Sequence, residues 1–303
     1  FVLSTVQTAY KAMTGADPLP TPTDPSVEDF AIRLKAYEAQ RADFNRIGKA
    51  FVGSGYNFKV AIKGIVLSPW FRATDTSASN SERLAQLDDV GAGELLFPEL
   101  LERKIESVTG YRWRSSAKSS SYLLGDYKLL YGGINGNSVE YRIRVLNAIM
   151  SSIADRMANE MSCRVVPREL SEAPGSRKLL PLVEIDTQPE KPDGSKDAAG
   201  EAAIFANIQH LHAHVLGESL GIDHPELQRT YALFYDTWKD GQNSMGSKDY
   251  PETLPSTCQV TRDWQSNKKL PKSKQLTKDK KYTVRAWMAV MSYLLSDYKF
   301  LFQ

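Results

Sequence analysis

Apolar residues recur at three- and four-residue intervals along most of this 303-residue chain, and clusters of Pro, Gly and Ser break the rhythm into segments. The spacing predicts a first helix over about 2–13, followed by an extended loop from Gly15 to Pro25 that carries Pro18, Pro20, Pro22 and Pro25. A charged helix is expected from Val27 to about Val52, with Asp24 or Ser26 as its cap and Gly53 and Gly55 as its stop. A more apolar helix over 57–68 halts at Pro69, a polar loop covers 73–91, and Pro98 and Gly110 mark the start and end of the next helix. A helix is expected over about 117–131, ended by Gly132 and Gly133. Ser138 should then cap a long helix to about Cys163, with Ile143, Leu146, Ile149, Ile153 and Met157 on its inward stripe. Residues 164–198 hold five Pro, an apolar patch at Leu179–Ile185 and a polar run from Gln188 to Gly200 that reads as an exposed linker or lid. Helices return over about 199–220 and 225–240, and a second irregular region, 241–281, precedes the closing helix.

The closing helix repeats an earlier phrase. Residues 121–131 read SYLLGDYKLLY and residues 292–302 read SYLLSDYKFLF. Each copy is apolar and aromatic apart from Ser121, Gly125, Asp126 and Lys128, or Ser292, Ser296, Asp297 and Lys299, which is the composition of a buried helix. A weaker echo lies at Val66–Phe71. The expected fold is therefore mainly α: a multi-helix globular domain with an internally repeated helical unit and long irregular loops. Its expected divisions are an N-terminal helical unit over 1–163, the linker or lid over 164–198, and a C-terminal helical unit over 199–303.

Composition narrows the classes of function. The hydrophobic fraction of 42% suffices for a core, and 38 Lys plus Arg against 36 Asp plus Glu give no global field that would favour nucleic acid. The longest apolar runs, Val60–Val66 and Trp287–Leu295, fall short of a membrane span. The chain opens on Phe-Val-Leu-Ser without an initiator Met or a signal peptide, so a processed protein or part of a longer one is expected. Cys163 and Cys258 could form one long-range disulfide in an oxidising compartment or remain two buried thiols in a reducing one. With no Cys-x-x-Cys-His there is no covalent c-type haem attachment here.

Three of the four histidines fall in the segment 207–218, the one cluster with ligand chemistry. On a helix His210, His214 and Glu218 share a face at i, i+4 and i+8, a spacing that can hold zinc or another borderline metal. Ile204, Ile208, Leu211 and Val215 form the core-facing stripe, with His212 at its edge as a core histidine. The alternative for His210 and His214 is solvent or hydrogen bonding without metal. The loop 132–140 is rich in oxygen ligands but lacks the spacing of a calcium loop and reads as a helix-capping turn. Asp126 and Asp297, set in the apolar repeats, should each find a partner as buried carboxylates. Packed about a pseudo-dyad they could do acid–base work, though two structural salt bridges are the simpler reading. Lys268–Lys281, with seven lysines and one Asp, reads as a mobile basic surface loop that could meet an acidic partner. There is no Gly-rich phosphate loop, nucleophile elbow or His-Glu-x-x-His motif.

Several phrases taken together carry a resemblance: GIVLSPWF at 64–71, YGGI at 131–134, RMANEMSC at 156–163, Asn207–His212 and Leu294–Leu301. They resemble the C-terminal region of large exported bacterial proteins of unknown function that often carry a c-type cytochrome domain elsewhere. The resemblance runs over most of 50–303 and brings no catalytic residue with it. It implies a periplasmic or extracellular location, where Cys163 and Cys258 could well be bridged. It also implies that any haem c sits on an upstream segment or a partner. The partners expected are other protein subunits or another part of the same polypeptide, a cytochrome among them. The first reading is thus a non-catalytic helical scaffold or interaction module of a redox-associated assembly, with 164–198 and 241–281 as its partner-binding surface. The alternative is a metal- or haem-dependent periplasmic enzyme or electron-transfer subunit with its site around His210, His212 and His214, supported by Asp126 or Asp297.

Overall fold

A computed structural model describes residues 1–26, 30–72, 95–116, 118–143, 145–264 and 266–302. The protein is mainly α-helical and forms two compact units, Phe1–Glu94 and Leu95–Phe302. Among the described residues no helix is long and apolar enough to cross a membrane. The polar loop expected at 73–91 lies outside the described residues.

The smaller unit packs α1 (Val2–Thr14), α2 (Phe30–Gly53) and α3 (Phe58–Val66), followed by the short α4 (Pro69–Arg72). Val6 and Tyr10 meet Phe44, Ile47 and Phe51, with Tyr10 and Phe44 ring centroids 5.1 Å apart. Gly64 permits the close approach of α3 to α2, because a Cβ there would lie 2.9 Å from Ile47 Cγ1. Trp70 is buried and its indole N–H donates to Asp43 at 2.9 Å.

In the larger unit α5 (Pro98–Thr109) begins on Pro98 and ends at Gly110 in the left-handed conformation, as its sequence signals predict. The centre is α6 (Ala148–Ser171) packed on α9 (Thr283–Ser296), which also meets α8 (Pro225–Ser244). From α6 come Met150, Ile153, Met157, Met161 and Val165, and from α9 Trp287, Val290, Met291 and Leu294, all buried. Between them in sequence lies α7 (Ala198–Leu211), extended by a π-helical turn, His212–Leu216, that Gly217 closes with φ 72°. The chain ends in α10 (Tyr298–Leu301).

α6 departs from the sequence expectation at both ends. Its cap is Asn147, whose side chain accepts the N–H of Met150, and Ser138 instead sits in a turn held by Asn135. Ile143 and Ile149 are consequently exposed, whereas Ile153 and Met157 are buried. The helix then runs past Cys163 and across Pro167. Burial of Val165, Val166, Pro167 and Leu170 offsets the roughly 3 kcal/mol that a proline costs inside a helix.

The near-copies SYLLGDYKLLY and SYLLSDYKFLF also take different structures. The second is helical, ending α9 and forming α10, but 122–132 is a succession of turns in place of the expected buried helix. Leu124, Leu129 and Leu130 are exposed, while their counterparts Leu295, Phe300 and Leu301 are buried. The second copy is continuous with a helix already propagating from Thr283. The first follows Ser115, Ser116 and Ser119, which hydrogen-bond one another and offer the backbone a non-helical alternative.

The expected linker or lid, 164–198, is corrected at its start, where 164–171 continue α6; the remainder, 172–197, lacks α-helix but is fastened to the body. Leu179, Leu180 and Val183 join the core. The Glu169 carboxylate accepts the N–H groups of Leu179 and Leu180, and buried Asn207 accepts from Leu182 and donates to Leu179. The lysine-rich region is likewise tied down, by isolated antiparallel bridges Thr253–Lys278, Val260–Leu276 and Arg262–Lys269.

Candidate functional site

Cys163 on α6 and Cys258 in the irregular region bring their sulfurs to bonding distance, 2.10 Å, with Cα atoms 4.7 Å apart. This junction lays residues 256–264 across the flank of α6. Between them lies a cavity of about 300 Å³. Met161, Cys258 and Val260 form its apolar wall, Tyr111 and Trp264 contribute aromatic faces, and Arg164 and Arg168 project from successive turns of α6.

The two arginines differ in their company. Arg168 pairs with Glu172 at 2.5 Å and lies 4.0 Å from Asp263. Arg164 stacks on the Trp264 ring at 4.2 Å and gives Nη1 to the Arg114 carbonyl. Its remaining donors make no hydrogen bond to a described residue, and no described carboxylate lies within ion-pair distance. Partial burial lowers the Arg164 pKa from its ordinary value, against the pull of Glu160 and Tyr122. The nearest acids are already engaged: Glu160 holds Arg156 and the Trp113 indole, and Asp263 Oδ1 accepts from Ser266. Burial also raises the Tyr111 hydroxyl, against the pull of Arg168. The result is a cavity with one apolar side, a polar remainder that includes Ser256, Thr257 and Gln259, and a guanidinium with no described carboxylate at ion-pair distance.

The histidine cluster is organised otherwise than as a shared ligand face. The rings of His210 and His214 do stack, with centroids 5.7 Å apart. Each nevertheless points Nε2 at a backbone carbonyl, His210 at Lys178 over 2.7 Å and His214 at Val108 over 3.1 Å. Glu218 lies with His212 instead, 2.8 Å from its Nδ1, and also receives Lys299. The π-helical turn and Gly217 change the register after Leu211, so an i+8 projection no longer holds. Burial would raise the Glu218 carboxyl, but hydrogen bonds from Lys299 and His212 hold it below the ordinary range. His212 is buried, as its place beside the Ile204, Ile208, Leu211 and Val215 stripe suggests. Its Nε2 lies 3.0 Å from the Thr230 hydroxyl, which donates to the Glu226 carbonyl. A Thr–His–Glu chain is thus outlined, buried at a histidine only 1% exposed, and it ties the π-helical turn to α8. Among the described residues no group of three or more His, Cys, Asp or Glu could hold a metal ion.

Of the two repeat carboxylates, Asp126 is exposed and Asp297 caps α10 by accepting the Lys299 N–H at 2.8 Å. The expectation of two buried carboxylates in structural salt bridges is corrected: Asp126 stands on an exposed turn because the first copy is not a helix, and Asp297 is only partly buried and serves as a helix cap. In 132–140 the Asn135 side chain accepts three backbone N–H groups, from Asn137, Ser138 and Val139, so its oxygen serves the turn. The sequence reading passed over Arg164, Arg168, Tyr111 and Trp264. The available signal was the i, i+4 arginine pair directly after Cys163 and the tryptophan shortly after Cys258, which a pairing of the two cysteines would have joined.

No protein-family model matches the chain, and comparison with curated proteins and with solved structures finds no match.

Proposed function

We propose that this chain is a non-catalytic helical interaction module of an exported, redox-associated assembly, and that it engages its ligand through the cleft beside Cys163 and Cys258. The observation that carries this reading is Arg164, a half-buried guanidinium in a cavity whose neighbouring carboxylates are already paired. A charge withdrawn from water without a counter-ion is costly, and a binding partner is the economical source of one. The paired cysteines support a periplasmic or extracellular location, since such cross-links persist in oxidising compartments. The redox association rests on the resemblance of GIVLSPWF, RMANEMSC and the other phrases to exported cytochrome-linked proteins, with haem carried on another segment or subunit. The irregular segments 172–197 and 245–281, the second of which roofs the cleft, supply the partner-facing surface.

The test is an optical spectrum and elemental analysis of the purified native chain. The reading expects a colourless protein without stoichiometric metal. A Soret band, or one equivalent of metal lost on substituting His210 and His214, would replace it with the metal- or haem-dependent alternative around His210, His212 and His214.

A further inference from the structure

The unpartnered arginine narrows the ligand. Arg168 is neutralised by Glu172, and the rim arginine, Arg262, is exposed and donates to the Asn267 carbonyl at 3.1 Å. Asp263, which also lines the cleft, lies 4.0 Å from Arg168, so Arg164 is the half-buried guanidinium here with no described carboxylate at ion-pair distance and is the seat for an anion. Arg164 sits over the Trp264 ring, 4.2 Å from its centroid, and gives Nη1 to the Arg114 carbonyl, so its edge of Nε and Nη2 remains to receive an acceptor. A carboxylate matches that edge with two parallel N–H···O bonds. On one side of the cleft the lining is apolar, from the largely buried side chains of Met161 and Val260. A cavity of about 300 Å³ lies at the small end of ligand pockets and takes one side chain with its acid, with no room for a folded partner.

We propose that this cleft binds an apolar monocarboxylate, its carboxylate seated on Arg164 and its hydrocarbon part against Met161 and Val260. The inference rests on the chain being a binding module. A free small acid and the C-terminal residue of a polypeptide present this same chemistry.

The experiment is calorimetric titration of the whole chain with N-acetyl-leucine, N-acetyl-leucinamide, the peptide acetyl-Gly-Gly-Leu and inorganic phosphate, repeated on Arg164→Gln and Arg164→Lys. N-acetyl-leucine should bind at least about tenfold more tightly than its amide, and Arg164→Gln should erase that preference while Arg164→Lys keeps part of it. Tighter binding of the peptide than of N-acetyl-leucine would identify a polypeptide C-terminus as the ligand; equal binding would identify a free acid. Equal affinity for acid and amide overturns the proposal. So does a preference for phosphate, or no binding of the acid at about 10 mM. Should Arg164→Gln fail to fold, the acid–amide comparison on the native chain decides alone. A colourless, metal-free chain that ignores carboxylates would sink this inference and leave the interaction-module reading; a metal- or haem-loaded chain would sink that reading whatever the titration shows.

Discussion

Replacing Cys163 and Cys258 together by alanine should lower the stability of the larger unit by about 4.7 kcal/mol. The figure follows from the 95-residue separation of the pair: closing a loop of that length removes conformational entropy from the unfolded chain in proportion to its logarithm. Native packing contributes little to the change, because alanine keeps the Cβ of Cys258 in its buried position. For a unit of this size a urea dependence of about 2–3 kcal/mol per M converts the loss into a midpoint lowered by about 1.6–2.4 M. Tryptophan fluorescence reads the event, since Trp113, Trp238, Trp264 and Trp287 lie in this unit and Trp70 in the other. The native protein treated with a reducing agent should move to the same midpoint as the variant. A midpoint within about 0.3 M of the oxidised native chain would refute the reasoning, showing either that the cross-link is absent in solution or that the unfolded chain gains no freedom without it. The same variant should lose affinity for N-acetyl-leucine, because the roof that carries Trp264 is held to α6 at this junction.

Where local chemistry decides the structure, the sequence was readable. Pro98 and Gly110 bracket α5 because a proline at the first turn gives up only an N–H that has no helical partner, and a glycine takes the left-handed closing turn freely. The stripe Ile204, Ile208, Leu211 and Val215 was readable for the same reason, since periodicity reports which side of a helix is dry. Where long-range packing decides, it was not. Pro167 looks like a terminator, yet the helix continues because α9 lies against it and the residues around the proline are buried. The near-identical 121–131 and 292–302 diverge because the serines before the first copy compete for its backbone, whereas Thr283–Met291 hands a propagating helix to the second. The cleft was invisible for a related reason. Arg164 and Trp264 acquire meaning only once Cys163 and Cys258 are joined, and the choice between a cross-link and two thiols was open in the residues themselves.

Three further perturbations probe the larger unit. Glu102 is buried with Oε1 unpaired and its carboxyl raised above the ordinary range by burial, which the Ser121 hydroxyl only partly opposes, so it weakens the fold as pH rises through its folded pKa. Glu102→Gln should therefore match the native chain near pH 4 and become the more stable of the two toward pH 8 in thermal unfolding; a gap that narrows with rising pH would contradict this. Asp279→Ala removes a carboxylate that pairs with Arg285 at 3.2 Å and accepts the N–H groups of Val284 and Arg285, and should cost about 3–5 kcal/mol in urea unfolding; a loss below about 1 kcal/mol would mean that the Pro251 and Thr253 carbonyls suffice for Arg285. Gly241→Ala would set a Cβ 1.9 Å from the Tyr282 ring, which Arg285 flanks at 5.0 Å, and should cost about 1–3 kcal/mol or more; an unchanged melting temperature would show that the ring moves aside freely. The last test addresses the repeat. Leu130 and Leu301 occupy the same place in the two copies but are 50% and 2% exposed, so Leu301→Ala should cost about 2–5 kcal/mol and Leu130→Ala stay within about 0.5 kcal/mol. Equal losses would mean that Leu130 is covered in solution and that the first copy, like the second, is packed into a core. Unequal losses would mean that duplication of a sequence phrase did not carry its structure along, because Leu95 and Leu96 pair with Phe302 and the Leu301 carbonyl at the second copy, whereas the first meets α5 through the polar pairs Ser121–Glu102 and Lys128–Glu99.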